Sequence, residues 1–116
     1  MEPPIDLPTL LTIIDGDKDL LIELGEIFRQ DYPQQVAALH EAVRHGDAHR
    51  LERVSHSLKG ALATIGATTA RSLAHELEIM GQSGQLEGSQ PTLHKLESEL
   101  DRLAAFFDEP GWIDRL

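Results

Sequence analysis

The sequence predicts an all-α fold, an antiparallel up-down-up-down four-helix bundle with a short extra N-terminal helical segment, and three observations carry that prediction. Apolar residues recur at helical spacing in successive stripes along the chain. Gly, Asp and Pro separate those stripes at short intervals, and short turns between sizeable helices favour antiparallel neighbours. Hydrophobic residues make up 41% of the 116 residues but aromatics only 4%, a Leu- and Ala-rich balance that suits helix packing better than a β-sandwich. A chain of this length holds one core, so a single domain over 1–116 is expected, with the bundle at about 10–107 and a tail at 108–116.

The prolines of "EPPIDLP" block a regular start, and the stripe "LLTII" then supplies the short leading helix. Asp15, Gly16 and Asp17 offer a helix start, followed by an apolar face of Leu20, Leu21, Leu24, Ile27 and Phe28. Pro33 interrupts this pattern. It reads as a kink, or as the start of an abutting segment with the stripe Val36, Leu39 and Val43, the whole spanning 17–45. Gly46 as a left-handed C′ residue and Asp47 as an N-cap make a tight reversal into a helix at 47–65.

That second helix has the core stripe Leu51, Val54, Leu58, Ala61, Leu62 and Ile65, and Gly66 with Ala67 marks its stop. The third, at 68–83, carries Ala70, Leu73, Ala74, Leu77 and Met80 and ends in the glycine-rich "GQSGQLEGSQP". The fourth, at 90–107, carries Leu93, Leu96, Leu100, Leu103, Ala104 and Phe107. The tail "DEPGWIDRL" is too short for an element of its own, so Trp112 is expected to pack across one end of the bundle.

Charge and composition exclude several functions. Ten Lys and Arg against 20 Asp and Glu give a net charge of −10, which repels phosphate backbones and anionic lipid surfaces. Neither a nucleic-acid partner nor direct membrane contact is expected. No apolar run approaches the 18 or so residues that cross a bilayer, and "MEPPIDLP" lacks the basic, then apolar, opening of a secretory signal. The absence of cysteine gives no disulfide to suggest export. A cytoplasmic location is expected, either as a free protein or as a cytoplasmic domain of a membrane-bound receptor.

One stretch asks for a functional explanation. Within "RLERVSHSLKGALATIGATTARSLAHELE", Gly60 sits inside a helix at a cost of about 1 kcal/mol relative to Ala. With Leu51, Val54, Leu58, Leu62 and Ile65 facing the core, His56 points about 170° away, toward solvent. Gly60 and Ala63 follow on the same outward side and Lys59 flanks them, while Ala61 and Leu62 point inward. Taken singly, each of these is an ordinary surface residue. Together they place an imidazole above a strip of nearly bare backbone with a cation beside it, as if another macromolecule comes close there. Glu52, Arg53 and Ser55, with Gly60 and Ala63, are the candidate partner-binding residues; His56 and Lys59 are the candidate chemical ones.

Other chemistry finds little support. The break at Gly46 and Asp47 spoils the i, i+4 spacing of His45 and His49 as metal ligands, and no Glu-x-x-His pair on two helices is present for a di-iron site. His75 and Glu78 stand in the reversed order; Glu78 reads as part of a solvated face in preference to a group that orients His56. With no cysteine nucleophile, no Gly-x-Ser-x-Gly and no Walker-type loop, an autonomous enzyme is not expected.

The segment "SHSLKGALATIGA" resembles the signature of histidine phosphotransfer domains, His-x-Leu-Lys-Gly followed six residues later by Gly-Ala. His56, Leu58, Lys59, Gly60, Ala63, Gly66 and Ala67 match it, and "LAHELE" continues as the family's next helix does. The resemblance runs from about Leu10 to Phe107, including "IFRQDYPQQVAALHEAVRHGD"; it departs at Ala61 and Leu62, where the family often has Ser or another small residue. It implies a phosphorelay carrier in which His56 takes a phosphoryl group from a receiver-domain aspartyl phosphate and yields it to a response-regulator aspartate. Lys59 would offset phosphoryl charge. The partners so implied are receiver domains of a hybrid sensor kinase and of a response regulator, the receiver bringing magnesium and an acidic pocket to a monomeric carrier that has no cofactor of its own. Two other readings fit the same face: the phosphoacceptor domain of a chemotaxis-type histidine kinase, and a non-catalytic helical adapter that binds receivers.

Overall fold

The computed structural model describes residues 4–115; positions 1–3 and 116, the ends of the expected single domain, lie outside the described residues. The elements are α1 (Leu7–Ile14), α2 (Lys18–His45), α3 (Ala48–Thr64), α4 (Thr68–Ser83), α5 (Ser89–Asp108) and a final 3-10 turn, Trp112–Arg115. No strand occurs among the described residues. Each long helix packs on the next and α5 closes back on α2, which makes the four-helix ring. The final turn corrects the expectation that the tail forms no element; Trp112 itself is buried against Phe106 and Phe107, with ring centroids 5.5 and 5.0 Å apart.

Local chemistry sets the helix ends. Asp17 accepts from the backbone N–H of Leu20 at 3.0 Å to cap α2, and Asp47 does the same for α3 through Arg50 at 3.0 Å. Between them Gly46, at φ 65°, takes the left-handed conformation that ends α2. Helix α1 is held by Asp6, whose carboxylate accepts from the Thr9 hydroxyl at 2.6 Å. The Asp6 N–H in turn donates to the Gly66 carbonyl at 2.9 Å, so α1 lies against the α3–α4 turn.

Pro33 does not divide α2, which runs unbroken for 28 residues. Phe28 before it and Val36, Leu39 and Ala42 after it are all buried, so packing on both sides carries the helix past one missing hydrogen bond. The apolar face of α2 differs from the expected stripe: Leu21, Gly25 and Phe28 are buried, whereas Leu20 and Ile27 remain 40% and 49% exposed. Ile27 lines a groove between α2 and α3 whose other wall includes Ala61 and Ile65. The same groove explains why Ala61, expected to point inward, is exposed. Val54 is half-buried for a similar reason, at the rim of a second hollow between these two helices.

The core of α3 is Leu51, Ser55, Leu58 and Leu62, each at 0% exposure, and truncating one such leucine to alanine costs about 2–5 kcal/mol. Its partner α4 approaches unusually closely at one point. A Cβ on Gly81 would lie 2.6 Å from the Glu52 backbone nitrogen and 2.8 Å from the Ala48 carbonyl oxygen. Gly81 is thus a packing residue inside α4 and not part of the turn that follows. This contact draws the C-terminal half of α4 onto the N-terminal half of α3, where His56 sits one turn on.

Candidate functional site

The α3–α4 seam brings four polar side chains together. Nδ1 of His56 and Oε2 of Glu78 are 2.5 Å apart, and the Lys59 ammonium donates to Oε1 of the same carboxylate at 2.5 Å. His75, one turn before Glu78 on α4, places Nδ1 3.4 Å from Oε1. The side chain of His56 is 69% exposed and that of Glu78 only 6%. A buried carboxylate therefore underlies an exposed imidazole, with a half-buried ammonium beside both.

Electrostatics follow from these contacts. The hydrogen bond from Lys59 is the largest influence holding Glu78 well below its ordinary value, at about 2; burial opposes it, and His56, His75 and the Lys59 charge add to it. Glu78 is thus an anion near neutral pH and can only accept hydrogen bonds. The proton between it and His56 belongs to Nδ1. In the neutral ring this fixes the tautomer and leaves Nε2 with its lone pair free to react.

The outward strip also stands as a surface. Gly60 and Ala63 are exposed, and a Cβ built on Gly60 meets nothing within 4 Å, so nothing among the described residues requires glycine there. Arg53 is exposed and Glu52 half-buried. Ser55 is the exception among the candidate partner-binding residues. It is fully buried, and its hydroxyl donates to the Leu51 carbonyl one turn back, so it belongs to the α3 core and not to the contact face.

Glu78 corrects the expectation of a solvated face. A signal for it lay in the numbering: Ala67, at the α3–α4 turn, stands eleven residues from His56 and eleven from Glu78 (67 − 56 = 78 − 67). In a tight antiparallel helix pair, positions equidistant from the turn lie level with one another. His45 and His49 are exposed, and among the described residues no cluster of three His, Cys, Asp or Glu side chains is arranged to hold a metal ion.

A family model described as the Hpt domain matches residues 23–106. The crystal structure of histidine-containing phosphotransfer protein B (HptB) from Pseudomonas aeruginosa PAO1 aligns over 100% of this chain and 99% of its own, with a TM-score of 0.86 and 25% sequence identity. No match emerges among curated proteins. The helical bundle, the His56 signature and these similarities agree, and the chain belongs to the Hpt family of histidine phosphotransfer domains that carry phosphoryl groups in phosphorelays.

Proposed function

We propose that His56 is the phosphoacceptor, taking its phosphoryl group from the aspartyl phosphate of one receiver domain, as in a hybrid sensor kinase, and yielding it to the aspartate of a response regulator. The observation that carries this reading is the 2.5 Å pairing of His56 Nδ1 with the buried Glu78 carboxylate. In the forward step the Nε2 lone pair attacks phosphorus, the N–P bond forms, and the P–O bond to the donor aspartate breaks with its electron pair passing to the carboxylate. The ring acquires positive charge while Nδ1 keeps its proton. Glu78 faces that proton and stabilises the charge as it develops.

Lys59 contributes in two ways. Its ammonium holds Glu78 ionised, and at 23% side-chain exposure it retains surface from which to offset charge on the transferring phosphoryl group. The return step runs the same bonds in reverse toward the second aspartate. Phosphoryl transfer asks mainly for alignment and charge neutralisation, so a carrier needs little more. Magnesium belongs to the receiver's side of the contact, and the carrier works as a monomer that turns over nothing by itself.

The test is labelling from a phosphorylated receiver. The wild-type chain is expected to acquire acid-labile, base-stable phosphate on one histidine, and His56→Gln to acquire none. Labelling that survives the substitution overturns the reading. So does its absence across a panel of receivers and kinases, the result expected of an adapter that binds without carrying phosphate.

A further inference from the structure

Arg71, on α4, takes no part in the Glu78 cluster, yet it lines two hollows beside the α3–α4 seam. One is a cleft of about 420 Å³ lined by Lys59, Arg71, Ser72, His75 and Glu76. The other adjoins it and includes Ala63, Gly66 and Thr68 along with Arg71, and also Asp6, whose carboxylate accepts from the Thr9 hydroxyl and does not pair with Arg71. Arg71 thus borders both the Lys59 and His75 side chains that hold Glu78 and the small-residue strip beyond Gly60.

Its charge is paired with no carboxylate among the described residues. Arg29, Arg44, Arg50, Arg102 and Lys59 are each held by a carboxylate of this chain. The Arg71 guanidinium is exposed and, like the side-chain charges of Lys18, Arg53 and Lys95, makes no hydrogen bond or ion pair with any described residue, although Asp and Glu outnumber Lys and Arg by 20 to 10. Glu76 lines the same cleft without pairing to it. Helix stability does not explain the residue either, since it lies near the start of α4, where the helix dipole disfavours a cation.

We propose that Arg71 is a docking cation for the phosphoprotein that exchanges with His56, receiving a surface carboxylate of that partner; the inference rests on the carrier reading above. A donor bearing an aspartyl phosphate brings anionic oxygens to the contact, and a chain of net charge −10 repels it at long range. Lys59 is paired to Glu78, so of the two cations that line the cleft beside His75, Arg71 is the one left to offset this repulsion locally. A guanidinium suits the role because its planar fork accepts a carboxylate through two parallel hydrogen bonds. Arg71 acts on encounter with the partner, and the chemistry at Nε2 does not depend on it.

Two phosphoryl sources separate these effects: a receiver domain that exchanges with the wild-type chain, and phosphoramidate, a small donor with no protein surface. Arg71→Gln is expected to raise the half-saturating receiver concentration about three- to tenfold, to change the plateau rate less than twofold, and to flatten the salt dependence of transfer. Arg71→Lys should recover part of the loss, and Arg71→Glu should deepen it. Labelling of His56 by phosphoramidate should be the same in all four proteins. Unchanged half-saturation in Arg71→Gln overturns the proposal, as does a parallel fall in phosphoramidate labelling, which would place Arg71 on the phosphoryl group itself. If wild type exchanges with no receiver, the carrier reading fails first and this inference with it.

Discussion

Oε2 of Glu78 lies 2.5 Å from Nδ1 of His56 across the α3–α4 seam, and Oε1 of the same carboxylate lies 2.5 Å from the Lys59 ammonium. One buried anion thus orients the imidazole and neutralises the neighbouring cation. Its placement depends on backbone packing one turn away, where Gly81 lets α4 touch α3.

Replacing Glu78 with Gln keeps the size of the side chain and removes its charge. A hydrogen bond to a charged partner is worth about 1–2 kcal/mol more than a neutral one, so transfer should slow about tenfold while label remains on His56. Because the loss lies in the nucleophile, phosphorylation by phosphoramidate should slow by a similar factor, in contrast to variants at Arg71. Single-turnover labelling from both donors, with helicity followed by circular dichroism, checks this. Wild-type rates in Glu78→Gln would remove Glu78 from the mechanism.

The depressed pKa of Glu78 also makes a stability prediction with a definite sign. A carboxyl that binds its proton less readily when folded stabilises the fold above its ordinary value of 4.5, and that contribution is lost as pH falls toward about 2. Wild type should therefore exceed Glu78→Gln in unfolding free energy at pH 6, on the order of 2 kcal/mol, and the gap should close between pH 4.5 and pH 2. Lys59, His56 and His75 are common to both proteins, so the difference isolates Glu78. Urea titrations at a series of pH values measure it; a gap that stays constant through this window would show that Glu78 is not held by these partners.

Much of this arrangement was legible in the sequence because it rests on local chemistry. The Gly46–Asp47 reversal needs only a left-handed residue and an N-cap, and the outward direction of His56 follows from 3.6-residue periodicity. Features that depend on two helices meeting were harder to read. Gly81 resembled the turn glycines after it, and its role exists only against the Ala48–Glu52 backbone. Glu78 looked solvated because an acidic residue usually is, and only its level with His56 across the turn distinguishes it. Ala61 and Ile27 both have apolar side chains on a plausible inner face, yet the spacing of α2 and α3 leaves a groove between them.

Gly60 and Gly81 should respond oppositely to the same substitution. A Cβ at Gly60 meets nothing, so Gly60→Ala gains helix propensity and should stabilise the bundle by about 0.5–1 kcal/mol. At Gly81 the added atom meets backbone at 2.6 Å, which a side-chain movement cannot relieve; Gly81→Ala should cost about 1–3 kcal/mol and shift Glu78 from His56. Function separates them further. The methyl at Gly60 intrudes on the strip where the receiver approaches, and a 1 Å displacement of reacting groups can slow transfer about 100-fold. Gly60→Gln should slow receiver transfer more than Gly60→Ala while folding about as well, and neither should alter phosphoramidate labelling. Gly81→Ala should weaken both, because it disturbs the nucleophile's own support. Urea unfolding and transfer rates for the three variants decide the matter. If both Gly60 variants fold more stably and transfer at the wild-type rate, access for a partner is not what keeps glycine at that position.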